Sequence, residues 1–299
     1  MTDRPVPPKR IFATSKVDAR NAEHVPSIPQ TESEAYKLAF QDSEFLLRED
    51  LRPVRFQLEL LKPELLLTEA QIGSTFVFYG SARVPAPDQA DALIAAATND
   101  EQRAIAHRLK AKSWLYEVAR ELARLASQCD CDEDGKKQFV VCSGGGPSFM
   151  EAANRGADDV GADSIGLNIV LPHEQLPNPY VTPDLSFQFH YFALRKMHFL
   201  LRARAVAVFP GGFGTFDEMF ELLTLIQTGK VRPLPILLYG RDYWNRVVDF
   251  QALVDEGVIA PHDLDLIHWT DDASEGWEFV KAFYDRDPAP RPASSAPPE

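Results

Sequence analysis

The sequence predicts an α/β fold, a Rossmann-like, doubly wound parallel sheet with helices on both faces. Two observations carry this prediction. Short apolar runs alternate along the chain with longer segments of helical periodicity, which is typical of parallel strands buried on both faces. Three of the apolar runs end in glycine-rich turns, and such sheets bind ligands beyond the carboxyl ends of their strands. We therefore expect a nucleotide-binding domain.

The predicted elements follow one another from residue 74 to residue 284. The first strand, Ser74–Tyr79, is a β-branched and aromatic run that stops at Gly80. Apolar residues at helical spacing predict a helix over Glu101–Ser127. By the same criteria, the other strands are Gln138–Cys142, Ser164–Val170, Ala205–Phe209, Pro235–Tyr239 and Asp265–Trp269, and the other helices are Pro147–Val160, Phe192–Ala203, Thr215–Thr228, Tyr243–Glu256 and Ala273–Tyr284.

The segments that flank this domain, residues 71–286, have a different composition. Residues 1–30 and 287–299 are rich in proline and poor in large apolar side chains, so we expect both to be disordered. Residues 31–70 have an apolar helical stripe that Pro53 and Pro63 divide into short helices. Because a minimal doubly wound sheet has no place for this extension, we expect it to pack on the domain or on a second subunit, in at least a dimer.

Composition and charge exclude several classes of function. A formal net charge of −13 argues against a broad nucleic-acid interface. There is no apolar run long enough to cross a membrane and no secretory signal at the start, so we expect a cytoplasmic protein without membrane contact. Cys129, Cys131 and Cys142 indicate reduced thiols, and the first two lack the partners that a zinc site requires. We expect no metal and no other cofactor.

The most informative segment is the nine-residue run Pro210–Glu218 between a predicted strand and a predicted helix. Gly211, Gly212 and Gly214 permit a loop whose backbone N–H groups converge on a phosphate. Thr215 can cap the helix and donate its hydroxyl to the same phosphate. Glu218 lies one turn further on, and its negative charge suits a place beside the sugar rather than the phosphate. The alternative for Glu218 is a residue that only complements the helix dipole.

Two more turns and one helix supply further candidates. Gly80, Ser81 and Arg83 form the first turn, which could bind an anion or be an ordinary tight connection with a surface arginine. Ser143–Glu151 contains three consecutive glycines before a helix, and its exposed N–H groups form a second anion-type turn. Arg195 and Lys196 lie on a predicted helix, where they are substrate contacts or surface cations.

The Pro210–Glu218 motif, with Arg195–Lys196 upstream, resembles the LOG family of cytokinin-activating phosphoribohydrolases. The likeness runs from about Gly73 to Tyr284, and the sequence before Gly73, together with Glu151, resembles the longer bacterial branch. The resemblance implies a homodimer that hydrolyses the N-glycosidic bond of a purine nucleoside 5′-monophosphate, such as AMP or a cytokinin nucleotide. The residues that match the family's functional positions are Arg195 and Glu218 as the catalytic pair, Gly211, Gly212, Gly214 and Thr215 as the phosphate loop, and Ser81 and Gly145 in the other phosphate-side turns. Gly80, Arg83 and Lys196 are expected as additional substrate contacts.

Family members are often labelled lysine decarboxylases, but no lysine here has a recognisable pyridoxal-phosphate context. Hydrolysis of the C1′–N9 bond passes through a sugar with oxocarbenium character, so the site needs a carboxylate near C1′, and Glu218 is the candidate. Arg195 would position Glu218 and the substrate by a bidentate contact. The alternative function is a nucleotide-sensing module that binds without turnover. A dinucleotide-dependent oxidoreductase is disfavoured because the usual fingerprint is missing.

Overall fold

The computed structural model describes residues 12–172 and 176–286, and the chain divides into two compact units, Met1–Glu59 and Leu60–Glu299. The first unit contains helix α1 (Ser15–Ala22), helix α2 (Ser43–Leu46), two 3₁₀ turns at Glu34–Tyr36 and Glu49–Leu51, and the start of α3 (Arg52–Glu69). None of residues 12–59 is buried. Residues 1–30 were expected to be disordered, but part of this segment forms α1, at whose start Thr14 Oγ1 accepts from Val17 N. Residues 1–11 and the predicted tail 287–299 lie outside the described residues.

Seven parallel strands form one sheet in the second unit, in the order β4-β3-β2-β1-β5-β6-β7. The predicted parallel α/β fold is therefore confirmed. Their bounds are β1 Thr75–Tyr79, β2 Val140–Ser143, β3 Ser164–Ile169, β4 Ser186–Phe189, β5 Ala203–Val208, β6 Ile236–Leu238 and β7 Ile267–Trp269. The chain adds β2, β3 and β4 on one side of β1 and then returns to place β5 on its other side. This reversal creates a topological switch point between β1 and β5.

Helices connect the strands. They are α4 Ala90–Ala95, α5 Asp100–Lys110, α6 Trp114–Ala126, α7 Phe149–Asp158, α8 Phe192–Leu201, α9 Phe213–Gln227, α10 Arg241–Val247, α11 Phe250–Asp255 and α12 Ala273–Arg286, with 3₁₀ turns at Pro183–Leu185 and Pro261–Leu266. Across the described residues, no helix is both long and apolar enough to span a bilayer.

Each face of the sheet has its own apolar core, because side chains alternate along the strands. In β1, Val77 and Tyr79 join a core with α8 and α9, whereas Phe76 and Phe78 join a core with α6, α7 and α12. Every residue of β1 and β2 is buried. The central strands are thus held from both faces, so the turns that follow them start from fixed points.

The structure corrects several predicted boundaries. The single helix predicted over Glu101–Ser127 is two helices, because Ser113 N and Oγ both donate to Lys110 O and close a turn there. The helix predicted over Tyr243–Glu256 is also divided, at Asp249, whose carboxylate caps α11 through Ala252 N at 3.0 Å. Pro63 does not end a helix but lies buried within α3. Strand β4 was not predicted, because it has only four residues and lies at the edge of the sheet.

Candidate active site

Three turns that follow β1, β2 and β5 meet at the carboxyl edge of the sheet, around the switch point. Ser81 N donates to Pro210 O at 3.0 Å, which joins the turn after β1 to the turn after β5. A Cβ added to Gly80 would lie 2.7 Å from a ring carbon of Phe149, the first residue of α7. Gly80 therefore lets β1 pass close to the helix that follows β2. The predicted cluster of turns is formed by direct contacts.

The turn after β5 leads directly into α9 and combines one packed glycine with two open ones. A Cβ on Gly211 would lie 2.0 Å from Thr215 Oγ1, so that glycine makes room for the buried Thr215 side chain. Tyr243 OH donates to Gly211 O and holds the loop from the side of α10. Gly212 and Gly214 are different, since an added Cβ would meet no atom within 4 Å and neither has a positive φ. Packing therefore does not explain these two glycines.

Arg195 on α8 and Glu218 on α9 form an ion pair next to this loop. Arg195 Nη1 lies 3.2 Å from Glu218 Oε1, and only 11% and 14% of the two side chains are exposed. Arg195 Nε donates to Leu167 O at the end of β3 at 2.6 Å, and its guanidinium carbon lies 4.9 Å from the centre of the Phe199 ring. The guanidinium thus contacts Glu218 through one nitrogen rather than through a bidentate fork.

The glycine turn after β2 packs against the guanidinium of Arg195. A Cβ on Gly144 would lie 2.6 Å from Arg195 Nη2. Gly145 has φ +72° and lies so close to Asn168 that a Cβ would be 2.4 Å from Asn168 Oδ1. Asn178 Nδ2 donates to Gly146 O at 3.0 Å, and Gly145 N donates to Ser143 Oγ at 3.0 Å. The turn is therefore built by packing and by buried hydrogen bonds.

The electrostatic environment of Glu218 favours the neutral carboxyl. Burial raises its pKa to about 7, the charge of Asp217 acts in the same direction, and the guanidinium of Arg195 opposes the shift. Burial also raises the pKa of the Tyr79 hydroxyl and of the Cys142 thiol, and both groups interact with the charges of Glu218 and Arg195. A carboxyl that titrates near neutral pH and lies against a fixed cation is characteristic of functional sites.

The remaining predicted residues occupy different surroundings. Ser81 Oγ accepts from Arg83 N at 3.0 Å, while the Arg83 side chain is exposed and no described contact joins it to Arg195 or Glu218. Lys196 Nζ is held by Asp217 at 2.9 Å and by Glu221 at 2.8 Å, both on α9. Lys196 therefore braces α8 against α9.

The structure adds contributors that the sequence analysis did not single out. Asn168 shapes the β2 turn, Tyr243 holds the β5 loop, and Leu167 contributes only its carbonyl oxygen. Ser148, at the end of the β2 turn, has φ +65°, which is strained for a serine. Asn168 is an amide residue among the apolar residues at the end of β3, and the sequence itself shows this feature. The contacts of Leu167 and Tyr243 arise from chain segments far apart in sequence.

Comparison with known proteins agrees with the motifs. A family model described as "Possible lysine decarboxylase" matches residues 150–280, which include Arg195 and Glu218. The pyrimidine/purine nucleotide 5′-monophosphate nucleosidase of Escherichia coli is 29% identical over 140 residues, 42% of this chain and 29% of that protein. Cytokinin riboside 5′-monophosphate phosphoribohydrolase LOG7 of Arabidopsis thaliana is 35% identical over 126 residues, 41% of this chain and 56% of that enzyme. The resemblance to the LOG family is confirmed.

These relatives are matched only in part, since the chain spans about a third of the bacterial nucleosidase and just over half of the plant enzyme. Among solved structures, a molybdenum cofactor carrier protein from Chlamydomonas reinhardtii is similar with a TM-score of 0.39 and 17% identity, over 71% of this chain and 99% of that chain.

Proposed function

We propose that this chain hydrolyses the N-glycosidic bond of purine nucleoside 5′-monophosphates, AMP or an N6-substituted AMP, and releases the free base and ribose 5-phosphate. The observation that carries the proposal is the buried Arg195–Glu218 pair beside an open glycine loop. The similarity to enzymes named as nucleotide 5′-monophosphate nucleosidase and phosphoribohydrolase supports the same reaction.

The loop after β5 is proposed to bind the 5′-phosphate. Gly212 caps the first turn of α9 without a side-chain hydrogen bond, so the first N–H groups of that helix are available to an anion. Gly212 and Gly214 keep the space above these groups open. Thr215 lies in the first turn of the same helix, and Ser81 and Gly145, in the turns after β1 and β2, are proposed as further phosphate contacts. Binding energy from the phosphate then fixes the sugar relative to Glu218.

Glu218 is proposed to act on the sugar as a carboxylate. As the C1′–N9 bond lengthens, positive charge develops on the ribose, and an anion in a poorly hydrated site stabilises that charge more strongly than water does. The carboxylate also accepts a hydrogen bond from the water that attacks C1′. With a pKa of about 7, a substantial share of Glu218 is ionised at neutral pH.

Arg195 is proposed to position Glu218. Its Nε is fixed on Leu167 O, and its Nη1 contacts Glu218 Oε1, so the carboxylate is held by a cation that is itself anchored to β3. The positive charge also opposes protonation of Glu218, which keeps part of the carboxyl ionised. A binding module without turnover would not require a carboxylate of this kind next to a phosphate loop, and this pair favours the enzyme over the sensing module.

The decisive experiment is a substrate panel analysed by chromatography for free base. We expect release of adenine from AMP, or of the base from an N6-substituted AMP, and no release from adenosine, because the phosphate is the required handle. Equal rates with AMP and adenosine would contradict the proposal. Binding of AMP without release of base would instead establish the nucleotide-sensing module.

Assembly is a separate expectation. We propose that the protein acts as a homodimer or a larger homo-oligomer, as the resemblance implies. Light scattering at micromolar concentration should give at least twice the mass of the 299-residue chain. A clean monomer that retains full activity would rule out an essential second subunit.

A further inference from the structure

A cavity lined by charged and aromatic side chains lies at the carboxyl edge of the sheet, on the other side of the β5 loop from Arg195. It has a volume of about 400 Å³ and lies between the α5–α6 connection and the turns that follow β6 and β7. Arg195 contacts the turn after β2 and Leu167 of β3, whereas Gly240 and Asp271 in this cavity follow β6 and β7. The two sites therefore occupy opposite halves of the sheet edge.

Cations line this cavity without the ion pairs that neutralise comparable residues nearby. Arg108, Lys112 and Arg246 have no carboxylate within 4 Å among the described residues. On the same helix as Arg108, the neighbours Arg103 and Lys110 are paired with Asp100 at 2.9 Å and with Asp91 at 2.5 Å. An unpaired cluster of like charges is unexpected in a chain with a net charge of −13.

The cations also influence one another. Burial lowers the pKa of the Lys112 amine, and the positive charges of Arg246 and Arg108 lower it further. A fourth cation, Arg241, stands over the Trp269 ring at 5.1 Å. An anion in the cavity would relieve this repulsion, because opposite charges within a few ångströms favour the charged form of each group.

Two carboxylates, those of Asp242 and Asp271, also line the cavity and reduce its net positive charge. Asp271 Oδ1 accepts from Gly240 N at 2.6 Å, so this carboxylate is already engaged by the backbone, and Asp242 is exposed at the start of α10. With four cations and two carboxylates, the lining carries a formal charge of +2. The charge matches an anion that bears at least two negative charges.

We propose that this cavity binds a small phosphate-bearing anion, of the pyrophosphate or phosphate-ester class, at a site separate from the proposed active site. Arginine forks match phosphate geometry, and Lys112, whose Nζ donates to Arg108 O at 2.5 Å, adds a point charge to the lining. The 47% exposed Trp114 and the Tyr243 ring provide flat apolar surface for the rest of an ester. Tyr243 also donates to Gly211 O, so an occupant would contact the residue that holds the β5 loop.

Calorimetric titration with pyrophosphate tests the proposal. The wild-type chain and an Arg108→Gln/Arg246→Gln double variant are compared, and Arg103→Gln is the matched control because it removes an arginine from the same helix that is paired with Asp100. We expect the double variant to lose affinity by about ten-fold or more, since two charge-assisted contacts are removed, and the control to bind like wild type. Circular dichroism and a thermal melt verify that each variant is folded.

A second variant separates this cavity from the β5 loop. Gly214→Leu fills the open space of the loop, and pyrophosphate binding at the cavity should survive this change. The proposal is overturned if the double variant binds like wild type, if Arg103→Gln weakens binding equally, or if Gly214→Leu alone abolishes all binding. The last result would place the ligand in the loop and leave the cavity empty. Because no step of this test measures hydrolysis, its failure is distinguishable from failure of the proposed function.

Discussion

The glycine turns after β2 and β5 look alike in sequence but are built for different purposes. After β2, a Cβ on Gly144 would meet Arg195 at 2.6 Å, and a Cβ on Gly145 would meet Asn168 at 2.4 Å. After β5, a Cβ on Gly212 or Gly214 would meet nothing within 4 Å. The first turn uses glycine to pack tightly, and the second uses glycine to leave space above a helix N-terminus.

The two turns therefore have different roles in the site. The β2 turn is held by hydrogen bonds of buried groups, and Gly144 in this turn packs against the Arg195 guanidinium. The β5 loop is fixed at its ends, by Thr215 packing and by Tyr243, and is open in the middle. Substitutions in the first turn should therefore act on stability, and substitutions in the second should act on the substrate.

The largest effect is expected at Glu218, which follows the open loop. Glu218→Gln keeps the shape and removes the charge that the developing sugar cation requires, so turnover should fall by about 10²-fold or more. AMP should still bind, because its phosphate contacts the loop. Steady-state rates and equilibrium binding of AMP measure the two quantities separately.

Arg195→Ala and Asp217→Asn are the comparison variants for Glu218→Gln. Arg195→Ala should weaken both binding and turnover, because it removes the cation that anchors Glu218. Asp217→Asn changes an adjacent, 60% exposed carboxylate that pairs with Lys196, and it should leave most of the turnover intact. If Glu218→Gln melts earlier yet releases base at the parent rate, Glu218 serves the helix dipole alone.

The same Gly→Ala change in the two turns tests their contrast directly. Gly145→Ala forces an alanine to φ +72° and displaces Asn168, whose Nδ2 donates to Phe187 O at 3.1 Å. We expect a loss of about 2–3 kcal/mol in the free energy of unfolding. Gly214→Ala meets no atom and has no positive φ, so its effect should stay within about 0.5 kcal/mol. Chemical denaturation of both variants provides the comparison, and equal losses would refute the distinction.

Features of the fold that depend on local sequence patterns could be predicted from the sequence. Apolar runs alternating with helical segments predicted most of the strands and their parallel arrangement. The resemblance carried by Pro210–Glu218 and Arg195–Lys196 pointed to Arg195 and Glu218, whose charged groups lie 3.2 Å apart. The sequence did not distinguish the two turns, because Gly144, Gly145 and Gly211 meet Arg195, Asn168 and Thr215 only in the folded chain, whereas Gly212 and Gly214 face open space. Strand β4 was missed because four edge residues carry too little pattern.

Lys196 shows a further limit of sequence reasoning. Its place beside Arg195 left two interpretations, a substrate contact or a surface cation, and neither included the ion pairs that it forms with Asp217 and Glu221. Adjacent residues on a helix point about 100° apart, so one of the pair can face the site while the other braces a neighbouring helix. A spatial role of this kind depends on the packing of α8 against α9, which no local pattern encodes.

A graded series at Gly214 sharpens the role of the open loop. Gly214→Leu should raise the KM for AMP by about ten-fold or more, the scale of one lost charge-assisted hydrogen bond, because the side chain occupies the space proposed for the phosphate. Gly214→Ala should give a smaller increase. The thermal melts should remain close to wild type. A large loss of stability with unchanged KM would show that the space at Gly214 serves packing rather than substrate binding.

The last prediction is a modest dependence of stability on pH that comes from the titration of Glu218. Burial raises the pKa of Glu218 to about 7 from an ordinary 4.5, so the folded state favours the protonated carboxyl. The resulting stabilisation is fully present below the unfolded pKa and is lost as the pH rises through about 7.

Relative to Glu218→Gln, the wild-type free energy of unfolding should therefore decrease between pH 5 and pH 8. The decrease should be about 1 kcal/mol, less than the full linkage value because the carboxyl keeps some contact with water. Denaturation curves of both proteins at the two pH values give this difference, since titrations that both proteins share cancel. A difference that grows in the opposite direction would mean that Arg195 outweighs burial and holds the carboxylate ionised, in which case Glu218 would be charged well below neutral pH.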